Sequence, residues 1–161
     1  MKMGLIQPFV NSADAVLSEM LDCMTQISNV TMDEQVYRRK GVAACVAIRG
    51  DIEGRIIFDV EPKTARRVAT ALGTSSGDPV QLAQETICEL ANMVIGNAVT
   101  LLNDQGFRFK VFPPDVHGAE QGYPGDEETE TLVMCFETPH GKVHMNMALR
   151  YNRRRWADPR E

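Results

Sequence analysis

The segment between Asp78 and Gly106 carries the longest helical pattern in the chain, and it restricts the fold more than any other feature. Asp78 is a good N-cap residue, Pro79 suits the first helical position, and Gly106 stands where a C-cap glycine is expected. Apolar residues recur between these ends at spacings of three and four residues. The segment therefore predicts one long amphipathic helix, whose apolar side must be covered by other elements.

The rest of the chain predicts two further helices and six strands. The helices are expected at 8–24, with Pro8 at the helix entry, and at 63–73, where Gly73 ends the helix. The strands are expected at 27–38, 42–50, 54–61, 107–113, 130–137 and 142–151. A turn at Gly50-Asp51 joins the second strand to the third, and "TPHG" joins the last two.

The order of these elements is repeated along the chain. A helix and three strands are followed by a short helix, and then a helix and three strands occur again, which indicates a two-fold internal repeat. The predicted fold class is α+β, with an antiparallel-rich six-stranded sheet and helices packed on one face.

Length and charge exclude several classes of protein. The 161 residues suffice for one domain, predicted at 1–151, followed by a polar tail at 152–161. The net charge of −5 argues against a general nucleic-acid binder, since phosphate affinity depends on Lys and Arg. No apolar run approaches the roughly 18 residues of a membrane span, and the first residues lack a signal-peptide pattern. We therefore expect a cytoplasmic protein.

The thiols and imidazoles do not form a recognisable site. The cysteines are Cys23, Cys45, Cys88 and Cys135, and the histidines are His117, His140 and His144. Because the cysteines are far apart and lie in apolar stretches, we expect core thiols in a reducing compartment, not disulfides or zinc ligands. No second ligand stands at metal spacing from any histidine, so no metal site is expected.

Two polar segments are interpreted as solvated surface. The region 115–130 is rich in Pro, Gly and acidic residues and predicts an exposed loop. The end of the last strand and the tail carry a cluster of cations beside one tryptophan: Arg150, Arg153, Arg154, Arg155 and Trp156. A solvated end or an oligomer contact is favoured for it, and an anion or nucleic-acid site is the alternative.

Four residues along one side of the long helix form an unusual combination. They are termed the polar stripe: Glu85, Glu89, Asn92 and Gly96. At about 100° per residue they lie within an arc of about 60°, opposite the apolar residues. Asn is a poorer helix former than Ala, and a mid-helix Gly costs about 1 kcal/mol relative to Ala. The stripe is either an ordinary solvent-exposed face of the helix or a surface that docks a partner. Asn92 and Gly96 both lower helix stability and lie on the same strip, which favours a docking surface.

The chemistry of the stripe suits positioning better than covalent catalysis. The stripe holds no Ser, Cys or His, so it offers no nucleophile, and two acids without a third ligand make a poor metal site. Glu89 and Asn92, three residues apart, are neighbours on the helix surface. A carboxylate can hold a lysine of a partner, and an amide, as both donor and acceptor, can orient a water. Met93 and Val99 give the stripe partly apolar edges, as contact surfaces often have.

The stretch "ETICELANMVIGNAVTLL" closely resembles the active-site helix of the CheC/CheX/FliY family of chemotaxis phosphatases, whose signature is Glu-x-x-Asn on an exposed helix. The signature here is Glu89-Leu90-Ala91-Asn92. The preceding "GRIIFDVEPKTARRVATALG" is similar to the strand, turn and short helix before the family motif. The resemblance covers roughly 8–151 and implies the fold of the family, a pseudo-two-fold arrangement of two α-β-β-β halves.

The resemblance also indicates a subtype. CheC-type members carry the motif on both pseudo-symmetric helices, whereas the first helix here reads "SEMLDCM", with Glu19 followed by Asp22 in place of Asn. A carboxylate does not donate to a water as an amide does, and it repels a phosphoryl group. The chain therefore resembles the single-site CheX type, which implies a homodimer.

The function that the resemblance implies is dephosphorylation of the aspartyl-phosphate on a CheY-like receiver domain. Asn92 would orient a water for in-line attack, and Glu89 would pair with a lysine of the receiver. Partner contacts are expected from Glu85, Met93, Gly96 and Val99. No cofactor is expected in this chain, and the receiver is expected to supply Mg²⁺. The alternatives are a non-catalytic module that binds a receiver or a signalling or flagellar assembly, and an α+β domain with an unrelated partner.

Overall fold

The computed structural model describes residues 3–21, 25–33, 41–73, 77–116 and 131–152. The helices are α1 (Met3–Met20), α2 (Pro62–Ala71) and α3 (Pro79–Asp104). The strands are β1 (Gln26–Asp33), β2 (Val42–Gly50), β3 (Ile52–Val60), β4 (Phe109–Val111), β5 (Thr131–Thr138) and β6 (Gly141–Tyr151). They form one six-stranded sheet in the order β1-β5-β6-β3-β2-β4, and all neighbouring pairs are antiparallel.

The strand order has the internal symmetry that the sequence predicts. Exchanging β1 with β4, β2 with β5 and β3 with β6 turns the order into its own reverse. The two central strands, β3 and β6, are therefore equivalent and pair with each other along their length. The predicted α+β fold with a pseudo-two-fold repeat is confirmed.

The helices lie on one face of the sheet. Strand residues alternate between the two faces, so that Ile56 and Phe58 pack in the main core with the helices, whereas Ile57 and Asp59 lie on the other face. The centre of the helical layer is α3, which packs against α1, α2 and the strand β2. One side of α3 is thus fixed by the core, and the other side is turned outward.

Local capping defines the ends of α3, as predicted. The Asp78 carboxylate accepts a hydrogen bond from the backbone N–H of Gln81 at 3.4 Å, and Pro79 occupies the start of the helix. Gly106 follows the C-cap residue with φ +98°, a conformation that glycine adopts without a Cβ clash.

The predicted start of the first helix is wrong. The helix begins at Met3, so Pro8 lies inside it and not at its entry. A proline inside a helix removes one hydrogen bond. The two side chains of the preceding turn, Leu5 and Ile6, are almost fully buried in the core. Burial of each side chain stabilises the fold by roughly 1.5–3 kcal/mol. The two contributions offset the cost of the proline.

Two strand boundaries also differ from the prediction. β3 begins at Ile52 because its first residues pair with β6, opposite Tyr151. β4 is much shorter than predicted and ends at Val111. The Phe112 N–H still donates to the carbonyl oxygen of Ala47, but Pro113 and Pro114 have no N–H to donate to β2, and the pairing resumes as an isolated bridge from Asp115 to Cys45.

Several predictions fall on residues outside the described ranges. These are the end of the first helix at 22–24, the end of the first strand at 34–38, the loop at 117–130 and the tail at 153–161. The first tail residue, Asn152, is described. Its backbone N–H donates to the carbonyl oxygen of Asp51 at 2.9 Å, and its side chain donates to Glu53 at 3.1 Å.

Candidate functional site

All four residues of the polar stripe lie on the outward side of α3 and are exposed. On the opposite side of the same helix, Leu90 and Val94 are almost fully buried in the main core. Leu90 and Ala91, which lie between Glu89 and Asn92 in the sequence, are buried in the core and fix the helix backbone there. Glu89 and Asn92 therefore project from a rigid element, as a positioning group requires.

Glu89 and Asn92 differ from Glu85 in their side-chain contacts. The side chain of Gln81 donates to the Glu85 carboxylate at 3.1 Å, so that carboxylate is already engaged within the helix. Among the residues that the structure describes, neither the Glu89 nor the Asn92 side chain has a hydrogen-bond or ion-pair partner. Both groups retain their full hydrogen-bonding capacity for a molecule that approaches α3.

The edges of the stripe are partly apolar. Met93 is 39% exposed, whereas Val99 is half-buried and packs against the core. Leu101, which the helical angle places on the apolar side, is 45% exposed, and Asn97 is exposed as well. The outward surface of α3 is thus wider towards its C-terminus than the sequence indicates.

The packing of the described residues does not explain why position 96 is a glycine. A Cβ added at this residue would meet no atom within 4 Å, apart from the backbone of its own helix. The helix conformation does not require a glycine either, since Gly96 does not have a positive φ. The cost of about 1 kcal/mol relative to Ala is therefore carried without any benefit to the packing of this chain.

Two thiols of the described residues, Cys45 on β2 and Cys88 on α3, have raised pKa values. Burial raises the pKa of the Cys45 thiol to about 11; the Arg55 guanidinium lowers it to a smaller extent, and Asp115 raises it. Burial also raises the pKa of Cys88, the neighbour of Glu89, with a further contribution from Asp115. A protonated thiol is a poor nucleophile and a poor metal ligand, so Cys88 does not add a reactive group to the stripe.

The raised pKa of Cys45 predicts a loss of stability at alkaline pH. In the unfolded chain this thiol ionises near its ordinary pKa of 9.0, and in the folded chain it ionises near 11. Between these values only the unfolded chain releases the proton, so the free energy of unfolding falls as the pH rises through this window. Urea unfolding from pH 8 to 11 should show a smaller decrease for Cys45→Ala than for the wild type. Equal pH slopes would contradict the prediction.

The described residues contain no group of three or more His, Cys, Asp or Glu side chains placed to hold a metal ion. No described helix combines the length and the hydropathy that crossing a membrane requires.

Residues 42–136 match the family described as "Chemotaxis phosphatase CheX". This region covers more than half of the chain and includes all of α3. The chain belongs to the CheX family. The family is thus the one that the Glu-x-x-Asn helix indicates, and the matched region includes the whole polar stripe. No curated protein gives a significant match.

Solved structures of similar fold cover nearly the whole chain. The CheX–CheY–BeF3–Mg²⁺ complex from Borrelia burgdorferi contains a chain with 30% identity and a TM-score of 0.73, matched over 90% of this protein and 97% of that chain. A CheC-like superfamily protein from Shewanella sp. PV-4 has 20% identity and a TM-score of 0.80, over 93% and 99% of the two chains. CheX from Desulfovibrio desulfuricans has 23% identity and a TM-score of 0.76, over 92% and 99%.

Proposed function

We propose that this CheX-family protein dephosphorylates the aspartyl-phosphate of a CheY-like receiver domain, with Asn92 as the catalytic residue. The observation that carries the proposal is the pairing of Glu89 and Asn92, exposed, without partners among the described residues, and fixed on a helix whose other side lies in the core. The family match and the similarity to a CheX that was solved with CheY support the choice of partner.

The reaction requires a positioned water and little else from this chain. The water oxygen forms the new bond to phosphorus, and the bond from phosphorus to the aspartyl oxygen breaks, with its electron pair remaining on the carboxylate. Both protons of the water remain on the product as H₂PO₄⁻. The Asn92 amide, which can both donate to the water oxygen and accept from its O–H, holds that oxygen in line with the leaving carboxylate, which is catalysis by orientation. We expect the receiver to supply the Mg²⁺ that phosphoryl transfer uses.

Glu89 has a positioning role in this proposal. Its carboxylate lies one helical turn before Asn92, so an ion pair with a lysine of the receiver holds the amide in register over the phosphoryl group. The exposed Met93 and the open space at Gly96 extend the same contact towards the C-terminus of α3, and Glu85 and Val99 contribute at its margins.

Glu89→Gln should weaken the complex more than it slows the chemical step. The substitution keeps the size of the side chain and removes the charge of the proposed ion pair, so KM for the phosphorylated receiver should rise about 10-fold, with a smaller change in kcat. Phosphate release measured at several receiver concentrations separates the two constants. Glu85→Gln is the matched comparison and should raise KM less, because that carboxylate lies at the margin of the contact and is already bonded to Gln81. A loss in kcat alone would assign Glu89 to the chemical step.

A non-catalytic receiver-binding module is the competing function, and one experiment separates the two. The receivers of the same genome are phosphorylated with acetyl phosphate, excess phosphodonor is removed, and phosphate loss is timed with and without this protein. The proposal requires a shortened lifetime for at least one receiver. Complex formation without any change in lifetime would support the module.

The homodimer implied by the CheX resemblance is also a proposal. Light scattering combined with gel filtration gives the mass directly, and the chain has a mass of 17.9 kDa. A mass of twice this value supports a dimer, and a mass equal to it excludes one at the concentration used.

A further inference from the structure

The outward face of α2 carries a second charged surface, opposite in sign to the stripe. It is termed the basic surface and consists of Lys63, Arg66 and Arg67, all exposed. Their spacing of three and four residues places them on one side of the helix. Within the described residues none of the three forms an ion pair.

The basic surface is unfavourable for the isolated protein. Like charges at these spacings destabilise a helix by about 0.2–0.5 kcal/mol per pair. Lys63 lies in the first turn of α2, which holds no acidic residue, so this cation also opposes the helix dipole. A chain with a net charge of −5 has acidic residues available to neutralise them. The unpaired cluster therefore indicates an anionic occupant that the described residues do not provide.

A shallow groove provides room for that occupant. It has a volume of about 590 Å³ and lies between the cations of α2 and the β5–β6 turn, which contributes Pro139 and His140. The turn is held against α2 at close range, since a Cβ on Gly141 would overlap Thr64 of that helix. The shape of the groove is thus set by the packing of α2 on the sheet.

The basic surface and the polar stripe belong to neighbouring helices. α2 packs directly against α3, on the same face of the sheet. The helical layer therefore presents a bipolar pattern, with Glu85 and Glu89 on one helix and the cations on the next. No ion pair within the described residues joins the two sets. A protein partner usually contributes about 20–30 residues to an interface, more than the outward side of one helix presents.

We infer that the basic surface is a second docking region for the receiver and that it binds an acidic patch on the surface of that receiver. The inference rests on the proposed function. One partner with a lysine opposite Glu89 and acidic residues opposite Arg66 and Arg67 matches both signs of the bipolar pattern and can dock in one orientation only. Complementary charge of this kind sets the association rate and the orientation of a complex.

The test compares two double variants that lose the same charge. Arg66→Gln/Arg67→Gln removes two cations of the basic surface. Arg49→Gln/Lys110→Gln removes two exposed cations at positions that are opposite each other in β2 and β4. They lie on the face of the sheet turned away from the helices. Each protein is assayed with the phosphorylated receiver that the wild type dephosphorylates fastest.

The first double variant should raise KM about 10-fold at 10 mM ionic strength, with kcat unchanged, and the control should match the wild type. The difference should shrink at 150 mM, because the screening length falls from about 30 Å to about 8 Å. Equal KM values for the two double variants would overturn the inference.

A binding measurement keeps this result separate from the catalytic proposal. Calorimetric titration with the beryllofluoride-treated receiver should show the same loss of affinity for Arg66→Gln/Arg67→Gln, whether or not phosphate is released. Asn92→Ala reports on the chemistry in parallel assays. If Asn92→Ala abolishes turnover while the two double variants bind equally, only the basic surface is refuted. If Asn92→Ala has no effect but affinity still depends on Arg66 and Arg67, only the catalytic proposal is refuted.

Discussion

Asn92→Ala is expected to remove about 99% or more of the acceleration of receiver dephosphorylation, since a single positioned polar group is commonly worth about 10²–10³ in rate. The loss should appear in kcat, because the amide acts on the attacking water and not on the bulk of the interface. Phosphate release under saturating protein and single-turnover conditions measures this constant directly.

The fold should not be affected by this substitution. Asn92 is exposed and has no side-chain partner among the described residues, and Ala is the better helix former. The thermal midpoint should therefore be equal to or slightly above that of the wild type. Asn97→Ala makes the same chemical change at another exposed position of α3 and should retain the wild-type rate.

Asn92→Asp tests the amide itself. The two side chains have nearly the same shape, but a carboxylate does not donate a hydrogen bond and repels a phosphoryl group. We expect this variant to be at least as slow as Asn92→Ala. A wild-type rate in either variant would exclude Asn92 from the mechanism and leave receiver binding without catalysis as the function to examine.

Local chemistry explains which parts of the fold the sequence predicts well. The ends of α3 depend on an N-cap carboxylate, a proline and a C-terminal glycine, all of which act within a few residues of the helix ends. The outward direction of the stripe follows from the helical period alone. Glu89, Asn92 and Gly96 could therefore be placed on one exposed side before any tertiary structure was known.

The features that the sequence did not predict depend on contacts between distant segments. Pro8 suggested a helix start, and only the burial of Leu5 and Ile6 in the core shows why the helix extends past it. Leu101 matches the apolar period of α3 but remains 45% exposed. The helical period predicts which residues share one side of a helix. Tertiary packing decides how much of that side is covered by other elements.

The basic surface illustrates the same limit. Three cations at helical spacing were visible in the short helix, but any amphipathic helix has a polar side and the pattern alone does not assign it a role. Its meaning depends on the packing of α2 beside α3, which places these cations and the Glu89 carboxylate, all without ion pairs among the described residues, on neighbouring helices of one layer. That neighbourhood is a property of the fold and not of either segment.

Substitutions at Gly96 are expected to change stability and activity in opposite directions. A Cβ at this position meets open space among the described residues, so Gly96→Ala creates no clash there, and the exposed position turns a leucine side chain towards solvent. Both residues are better helix formers than glycine, so each variant should gain about 0.5–1 kcal/mol in the free energy of unfolding. Urea unfolding measures this gain, and a loss of stability would show that Gly96 has a structural role.

The activity of Gly96→Leu should fall because the open space is where the receiver approaches the helix. A leucine one turn after Asn92 keeps the partner further from α3, and a displacement of about 1 Å in such a complex can cost about 100-fold in rate. We expect kcat/KM for the phosphorylated receiver to fall about 100-fold for Leu and about 10-fold for Ala. Asn97→Leu adds the same side chain at an exposed position outside the stripe and should retain the wild-type kcat/KM. A Gly96→Leu protein that is more stable and still fully active would mean that no partner contacts this part of α3, and the stripe beyond Asn92 would then be ordinary solvent-exposed surface.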